Sequence, residues 1–341
     1  MSPKFKNPRA KFNFQGRTCS ITGVGSYLPA KILTNAQLEK MVDTSDEWIT
    51  TRTGIKSRRQ AARDEFTSDM AAHAAQRAMK KAGVTADQID LIIVATITPD
   101  MPFPATACIV QQKIGARRAA AFDLEAACSG FIYGLEIGQQ FIMSRTYDTV
   151  LVIGAEKLSS IVDWTDRNTC VLFGDGAGAA VLQSRPNSHG LLTAVMGADG
   201  SKGGLLHMPG GGSRCPASAD SVAAKLHYLR MDGRETFKSA VQAMYHAAQE
   251  ALHRCELHIS KIKCVIPHQA NRRIIDAVGK RLGATSEQLF INLDRYGNTS
   301  AASVAIALDE AVSSGKIQRG DLILMMVFGA GLTWGAAVIE W

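Results

Sequence analysis

The chain has 341 residues, is 46% hydrophobic and 20% charged, and carries a formal net charge of +7. This balance is typical of a globular protein with enough apolar material for two domains or one large doubled domain. No apolar run of membrane-spanning length is free of charges, and the first seventeen residues contain five cations without an apolar core, so we expect neither a membrane partner nor a secretory signal. Because residues 1–17 form a basic tail, the rest of the chain has a net charge of only about +2, and we expect no nucleic-acid partner.

Short apolar runs alternate with helical stretches along the chain, which predicts an α/β fold. In the first part, the helical pattern of residues 68–83 precedes a predicted strand at 89–96. A strand at 120–125 then runs into an apolar helix that begins near Cys128, and a further strand follows at 149–156.

The second part repeats this order. A predicted helix at 235–252 precedes a strand at 262–267. Residues 289–312 read as a strand, a turn and a helix, and a strand at 322–329 comes last before the C-terminal residues.

The repeated order of elements predicts an internal duplication. We expect two α/β halves, residues 18–190 and 191–341, behind the basic tail. Cys128 in the first half and Asn298 in the second occupy equivalent junctions between a strand and a helix.

The seven cysteines lie at scattered positions, and no two form a Cys-x-x-Cys pair. This spacing is not that of a metal site or a disulfide framework, so we expect no metal and a cytoplasmic protein. Cys128 has two interpretations: a small apolar side chain in a tight place, or a nucleophile whose pKa is lowered by the N-terminus of the following helix.

Two further polar side chains follow predicted strands. His268 in "VIPHQANRR" comes directly after a buried-type strand, and Asn298 lies at the junction described above. Active sites of α/β folds gather at the carboxyl ends of strands, so Cys128, His268 and Asn298 are expected to meet. A thiolate can attack a carbonyl there, while the histidine and the asparagine donate hydrogen bonds to a developing oxyanion or enolate.

At this point the chain resembles the β-ketoacyl-acyl carrier protein synthase III family. The resemblance runs from about residue 18 to the C-terminus, and it implies a thiolase-like fold with duplicated halves in five layers, α-β-α-β-α. The residues that carry it are "AACSGF" around Cys128, "PHQAN" around His268, "GNTSAAS" around Asn298, "FGDGAGAA" (173–180) and "FGAGLTWGAAV" (328–338).

The resemblance implies an acyltransferase that initiates fatty-acid synthesis. Cys128 would take a short acyl group, acetyl being favoured, from acyl-CoA. His268 and Asn298 would then stabilise the enolate formed from malonyl-acyl carrier protein as CO₂ leaves, and the backbone N–H groups of Cys128 and Ala330 would form the oxyanion hole. This chemistry implies no metal and no redox cofactor.

Substrate contacts are also implied by position. Trp48 and Arg167 would sandwich the CoA adenine, and Arg52 would meet the nucleotide phosphates. Phe103 would cross the interface of a homodimer and close the acyl pocket of the other copy, with Phe328 as a neighbouring wall.

The acyl carrier protein, which is acidic, implies a basic docking face. The resemblance places it at Lys238 and at Arg273, Lys280 and Arg281 on the helix after His268; an ordinary solvated basic stripe is the alternative. The family's CoA-contacting asparagine is Arg234 here, which puts that contact in doubt.

Other members of the superfamily fit less well. Degradative thiolases need a second catalytic cysteine in the closing glycine-rich loop, and elongating synthases have a histidine where this chain has Asn298. Related Cys-His-Asn synthases or acyltransferases of secondary metabolism remain open, as does a homologue that binds acyl-CoA without catalysis.

Overall fold

The computed structural model describes residues 17–186 and 190–341. The predicted basic tail therefore lies outside the described residues, except for Arg17 at the start of the first strand. The strands of the described ranges are β1 Arg17–Tyr27, β2 Lys31–Thr34, β3 Ser57–Gln60, β4 Leu91–Ala95, β5 Ala120–Leu124, β6 Thr149–Glu156, β7 Gly176–Pro186, β8 Leu191–Ala198, β9 Leu206–His207, β10 Arg230–Met231, β11 Cys264–Pro267, β12 Leu322–Gly329 and β13 Thr333–Glu340.

The helices lie between these strands, and long helices coincide with the predicted helical patterns. None of those in the described part of the chain has the length and apolar character needed to cross a membrane. They are α1 Asn35–Leu38, α2 Asp46–Thr53, α3 Thr67–Ala82, α4 Thr106–Ile114, α5 Gly130–Met143, α6 Arg167–Cys170, α7 Ala219–Ala223, α8 Gly233–Arg254, α9 Arg272–Leu282, α10 Leu293–Tyr296 and α11 Ala302–Ser313.

Two mixed sheets share one pattern of strand directions. The first has the order β1-β7-β6-β4-β5, in which β4 runs parallel to β5 and β6, while β7 runs antiparallel to β6 and β1. The second has the order β11-β12-β13-β8, in which β11 and β12 are parallel and β13 is antiparallel to both of its neighbours. The predicted α/β duplication is confirmed by this match. The boundary at residues 190 and 191 stays a prediction, although each sheet takes its strands from one side of it.

The strand predicted at the start of residues 289–312 is wrong. Leu289 makes only a single parallel bridge with Val265, at the position that β5 occupies in the first sheet. The next backbone groups bond to a side chain instead of a strand: the Gln269 side chain donates to Phe290 O at 3.2 Å and accepts from Asn292 N at 2.9 Å. The Gln269 side chain therefore provides hydrogen bonds that a neighbouring strand would otherwise provide, and it links this segment to the end of β11.

The sheets enclose a central layer of two helices. α5 and α11 contact both sheets and each other, and α3 and α4 cover the outer face of the first sheet. α8 covers the outer face of the second sheet, where apolar residues of α9 join the same core cluster. This is the five-layered arrangement that the resemblance implies.

Glycines let α11 approach the first sheet closely. A Cβ at Gly154 would lie 2.4 Å from Ala301 O, and one at Gly178 would lie 2.5 Å from the Cβ of Ala305. Neither contact is sterically possible, so these positions require glycine. The "FGDGAGAA" segment thus serves close packing at the centre of the fold, which brings the start of α11 beside the start of α5.

Candidate active site

Cys128 lies in a 3₁₀ turn, Ala127–Ser129, that leads directly into α5. The preceding residue, Ala127, has a φ of 46°, in the left-handed region that costs a non-glycine residue about 1–3 kcal/mol. Such strain is concentrated at functional sites. Cys128 borders two cavities.

Burial dominates the acidity of this thiol. Desolvation raises the pKa of Cys128 to about 12; the Ser300 hydroxyl opposes this rise, and the Glu156 carboxyl adds to it. The predicted lowering of the pKa by the helix N-terminus is therefore wrong for this fold, because the thiolate loses its hydration. Cys108 is exposed, whereas Cys128 is buried, so speed of alkylation does not identify the nucleophile.

His268 directly follows β11 and is held by α11. Its Nδ1 lies 2.6 Å from Ser303 Oγ, and the same Oγ accepts a hydrogen bond from Gln269 N at 3.4 Å. In the tautomer in which the Ser303 hydroxyl donates to Nδ1, Nε2 carries the ring proton. Burial lowers the pKa of His268 to about 4. The ring is therefore neutral at pH 7, and in this tautomer it can donate a hydrogen bond through Nε2.

Asn298 is fixed by its own backbone and by its side-chain oxygen. Its N–H donates to Leu172 O at 2.8 Å, and its carbonyl accepts from Gly174 N at 3.0 Å. Its Oδ1 accepts from Ser300 N at 2.8 Å. This bond assigns the oxygen of the amide, so Nδ2 is the group left to donate to a ligand.

The structure brings the three predicted residues to one cavity of about 760 Å³. Cys128, His268 and Asn298 all border it, and it extends to Trp48 and Arg52 at the protein surface. The arrangement combines a nucleophile with two neutral donors at the end of a tunnel. It is suited to acyl transfer followed by stabilisation of an oxyanion or enolate.

A second cavity of about 460 Å³ also borders Cys128. Its walls are largely aliphatic, with Ile97, Ile161 and Leu229 among them. Phe103 does not border it: that side chain is 84% exposed. Phe328 borders the first cavity instead. The implied role of Phe103 in closing the acyl pocket of a second copy stays a prediction, as does that of Phe328 as a neighbouring wall.

The glycine-rich loop after β12 meets the Cys128 turn closely. A Cβ at Gly329 would lie 2.7 Å from Cys128 N, so only glycine allows this approach. Thr333 Oγ1 lies 2.9 Å from Ala126 O and 3.0 Å from Ala330 O. These contacts hold Ala330 beside the second cavity, next to Cys128. The backbone oxyanion hole of Cys128 and Ala330 stays a prediction that this placement favours.

Trp48 stands at the mouth of the first cavity between two guanidinium groups. Arg52 lies 4.7 Å and Arg167 5.3 Å from the centre of its ring. Arg167 also donates to Asp43 O at 2.9 Å, and it does not border the cavity. An adenine could enter between Trp48 and Arg167 only if this guanidinium moved off the indole.

The predicted docking residues divide into two groups. Lys238 and Arg273 border the mouth of the first cavity, together with Arg234. Lys280 and Arg281 lie farther along α9, where Lys280 is exposed and Arg281 stacks 4.1 Å from the centre of the Tyr245 ring. The mouth itself is thus basic, as an anionic substrate requires.

Three polar residues beside the site were not singled out by sequence analysis. Ser300 and Ser303 belong to the "GNTSAAS" segment that was singled out for its asparagine, and Glu156 is the last residue of a correctly predicted strand. The two serines could have been suspected from their place beside Asn298, whereas nothing in the sequence distinguishes Glu156. In the described ranges no cluster of histidine, cysteine and acidic side chains is suited to holding a metal ion.

Two family descriptions match the chain. "3-Oxoacyl-[acyl-carrier-protein (ACP)] synthase III" matches residues 122–200, which include Cys128, and its C-terminal counterpart matches residues 252–341, which include His268 and Asn298.

Curated relatives match nearly the whole chain. A "Beta-ketoacyl-[acyl-carrier-protein] synthase III" of Caldanaerobacter subterraneus subsp. tengcongensis is 60% identical over 321 residues, which cover 94% of this chain and 97% of the relative. One from Desulfitobacterium hafniense is 54% identical over 321 residues, which likewise cover 94% of this chain and 97% of the relative.

Solved structures of the same family are also similar to the chain. The 3-oxoacyl-[acyl-carrier-protein] synthase III of Aquifex aeolicus VF5 is 50% identical, with a TM-score of 0.88 over 95% of this chain and 100% of that one. The Thermus thermophilus enzyme is 46% identical, with a TM-score of 0.89 over 94% and 99%. The priming β-ketosynthase of the R1128 polyketide pathway is 37% identical, with a TM-score of 0.88 over 99% and 98%. The chain therefore belongs to the 3-oxoacyl-[acyl-carrier-protein] synthase III family, the thiolase-fold acyltransferases that initiate fatty-acid synthesis.

Proposed function

We propose that the protein condenses a short acyl-CoA primer, acetyl-CoA being favoured, with malonyl-acyl carrier protein. The products are a β-ketoacyl-acyl carrier protein, CO₂ and CoA. One observation carries the proposal: Cys128, His268 and Asn298 border a single tunnel whose mouth is basic. The proposed reaction uses protein side chains alone, without a metal or redox cofactor.

In the first half-reaction Cys128 attacks the thioester of acyl-CoA. The backbone N–H groups of Cys128 and Ala330 hold the oxyanion, and CoA leaves as its thiolate. The acyl chain enters the second, aliphatic cavity beside Cys128, where Ile97 and Leu229 form part of the wall. This order of events gives ping-pong kinetics.

In the second half-reaction malonyl-acyl carrier protein occupies the tunnel. Nε2–H of His268 and Nδ2–H of Asn298 donate to the malonyl thioester oxygen, so that the enolate formed on loss of CO₂ is stabilised. Burial lowers the pKa of His268 to about 4, so its imidazole is neutral at pH 7. This supports the role, because a neutral imidazole already carries one N–H and can donate without first being protonated. The enolate attacks the acyl group and releases the Cys128 thiolate.

The basic residues at the mouth of the tunnel bind the phosphates of both substrates. Arg52, Arg234, Lys238 and Arg273 border the opening, where Asp166 is the acidic residue. Guanidinium and ammonium groups bind phosphate through charge-assisted hydrogen bonds. We place the CoA nucleotide at Trp48 and Arg52 and the acidic carrier protein at Lys238 and Arg273, with Lys280 and Arg281 extending that surface.

A homodimer completes the proposal. The second cavity, of about 460 Å³, is far larger than an acetyl group, and Phe103 is exposed in its own chain. In the proposed dimer Phe103 closes this cavity of the second copy. Seven free cysteines fit a reducing cytoplasm.

A priming synthase of secondary metabolism is the second candidate, favoured by the 37% identity to the R1128 enzyme. The test is a panel of acyl-CoA primers assayed with malonyl-acyl carrier protein and, separately, with malonyl-CoA, following β-ketoacyl product and released CO₂. We expect acetyl-CoA with the carrier-bound extender to be preferred, and Cys128→Ser to be inactive. Preference for malonyl-CoA or for an unusual primer supports the second candidate, and acyl-CoA binding without product indicates a non-catalytic homologue.

A further inference from the structure

An arginine that the proposed mechanism does not use is buried in the interior of the fold. Arg58 lies in β3, and its side chain has no exposure to solvent. Its guanidinium group donates from Nη2 to Val171 O at 2.5 Å and from Nη1 to Asn35 Oδ1 at 2.8 Å. Burial lowers the pKa of Arg58 to about 10, so the group still carries its charge at pH 7. A full positive charge is therefore enclosed in the fold.

No acidic side chain forms an ion pair with this charge among the residues that the structure describes. The acceptors of Arg58 are neutral: the Asn35 amide and the backbone carbonyls of Leu33 and Val171. A buried charge without a counter-charge is costly, and an apolar side chain of similar volume is often at least as stable. This cost indicates that Arg58 does more than fill space.

One side of the guanidinium group holds the segment that fixes Asn298. Val171, whose carbonyl it binds, directly precedes Leu172. The carbonyl of Leu172 accepts from Asn298 N at 2.8 Å, and Gly174 N donates to Asn298 O at 3.0 Å. A shift of this segment would therefore move Asn298 with it.

The stem of Arg58 packs between two glycines next to the same asparagine. A Cβ at Gly174 would lie 3.1 Å from the Cβ of Arg58, and one at Gly297 would lie 3.3 Å from it. Gly297 directly precedes Asn298 and has a φ of 65°, a backbone conformation that favours glycine. Arg58 thus approaches both the residue before Asn298 and the residue that bonds its carbonyl.

The other side of the guanidinium group is anchored to α2, the helix at the mouth of the tunnel. Asn35 Nδ2 donates to Asp46 Oδ1 at 2.7 Å and to Ile55 O at 2.8 Å. Asp46 is the first residue of α2, and Ile55 follows its last turn. These bonds leave Oδ1 of the amide to accept from Arg58. The guanidinium group is therefore held from one side while it holds Val171 on the other.

We propose that Arg58 is a positioning residue for condensation, and that it fixes Asn298 through the carbonyl of Val171. The inference rests on the proposed function, because Asn298 acts in its second half-reaction. Arg58 borders neither of the two cavities, so it acts on the substrate only through the residues that it places. Its loss should slow condensation and leave priming nearly intact, since priming uses Cys128 and not the amide of Asn298.

The test compares Arg58→Met and Arg58→Lys in single-turnover assays of the two half-reactions. Methionine occupies the space without donating, so CO₂ release and β-ketoacyl formation by the acetylated protein should slow tenfold or more. Acetylation of Cys128 by acetyl-CoA should change less than twofold. Lysine keeps the charge but lacks the planar fork of donors, so Arg58→Lys should recover part of the condensation rate. Equal losses in the two half-reactions would show a merely structural role and overturn the proposal.

A double variant shows whether the effect passes through Asn298. In protein that already carries Asn298→Ala, the change Arg58→Met should slow condensation no further, because the side chain that Arg58 places is absent. If Arg58→Met slows condensation by the same factor with and without Asn298→Ala, the two residues act independently and the proposal is overturned.

The matched control is Arg59→Met. Arg59 is the next residue of β3, and it also donates to a backbone carbonyl, that of Pro29 at 3.1 Å. Both half-reactions should stay near their original rates in this variant, and an equal slowing of condensation would overturn the specific role of Arg58. If Arg58→Met does not fold, Arg58→Lys decides by the same two comparisons. Failure of the unaltered protein to release CO₂ and form product overturns the proposed function instead.

Discussion

Ser303 Oγ lies 2.6 Å from Nδ1 of His268, and this contact determines which ring nitrogen faces the tunnel. We expect Ser303→Ala to reduce kcat for condensation about tenfold, because a lost hydrogen bond of about 1–1.5 kcal/mol allows the ring to turn or to adopt the other tautomer. Priming by acetyl-CoA should change little. Single-turnover assays of the two half-reactions check this.

Ser313→Ala, at the far end of the same helix, is the matched control and should affect neither step. Equal loss of priming and condensation in Ser303→Ala would mean that Ser303 supports the fold of α11 rather than the donor role of His268.

Much of the site was predictable because strand ends are predictable. Buried-type apolar runs located β6, β11 and β12, and polar side chains that follow such strands meet at one edge of a sheet. Cys128, His268 and Asn298 could therefore be brought together without knowledge of side-chain contacts. The duplication followed from the same pattern of runs.

The rest depended on burial and packing, which a single sequence does not reveal. Position at a helix N-terminus suggested an acidic thiol at Cys128, but burial raises the pKa of that thiol. A strand was expected at residue 289, but the side chain of Gln269 takes over its backbone bonds. Glu156 resembles any acid at the end of a strand until its burial beside Cys128 is known.

Stability should depend on pH through two buried groups of opposite sign. Burial raises the pKa of Glu156 from 4.5 to about 7, so its favourable contribution is complete below pH 4.5 and is lost as pH rises through 7. Burial lowers the pKa of His268 from 6.5 to about 4, so its contribution is complete above pH 6.5 and is lost as pH falls through 4. Each pKa shift corresponds to about 3 kcal/mol in the free energy of unfolding, and the two pH dependences largely cancel between pH 4.5 and 6.5.

In Glu156→Gln the pH dependence of stability that His268 contributes should therefore no longer be cancelled. The free energy of unfolding of this variant should rise by about 3 kcal/mol more than that of the unaltered protein between pH 4.5 and 7. His268→Asn should change the slope in the opposite direction. Urea unfolding followed by circular dichroism at a series of pH values measures both, and parallel curves for all three proteins would refute the assignment.

Arg273 borders the tunnel mouth, where it can meet an acidic carrier protein. Arg273→Glu should raise the KM for malonyl-acyl carrier protein several-fold and weaken its dependence on salt, since charges at the rim of an interface act mainly on association. Priming by acetyl-CoA should stay near its original rate. Steady-state kinetics at several ionic strengths provide the measurement.

Lys263→Glu is the control for this variant. Lys263 is exposed at the start of β11, the strand whose other end carries His268, so the charge change is the same but lies at the far edge of the sheet. If Arg273→Glu harms both half-reactions equally, the residue serves the tunnel or the fold and not the carrier protein.

Phe103 is 84% exposed in this chain, which is costly for an aromatic side chain unless a second copy covers it. Phe103→Thr should raise the dissociation constant of the dimer at least tenfold, because burial of a phenylalanine contributes about 1.5–3 kcal/mol. It should also admit longer acyl-CoA primers. Sedimentation and the primer panel test the two effects.

Phe66→Thr is the control, since Phe66 is 48% exposed and contacts Lys157 of its own chain. An unchanged dimer and unchanged primer preference in Phe103→Thr would place both the interface and the end of the acyl pocket elsewhere.

The identity of the nucleophile is the central claim, and one measurement tests it directly. The protein is incubated with acetyl-CoA without an extender, digested at acid pH and analysed by peptide mass spectrometry. We predict one acetyl group per chain, on the peptide that contains Cys128, with none on the exposed Cys108 and none in Cys128→Ser. The acetyl group should disappear when malonyl-acyl carrier protein is added. An acetyl group on another residue that is discharged by the extender, or condensation that proceeds in Cys128→Ser, would contradict the account.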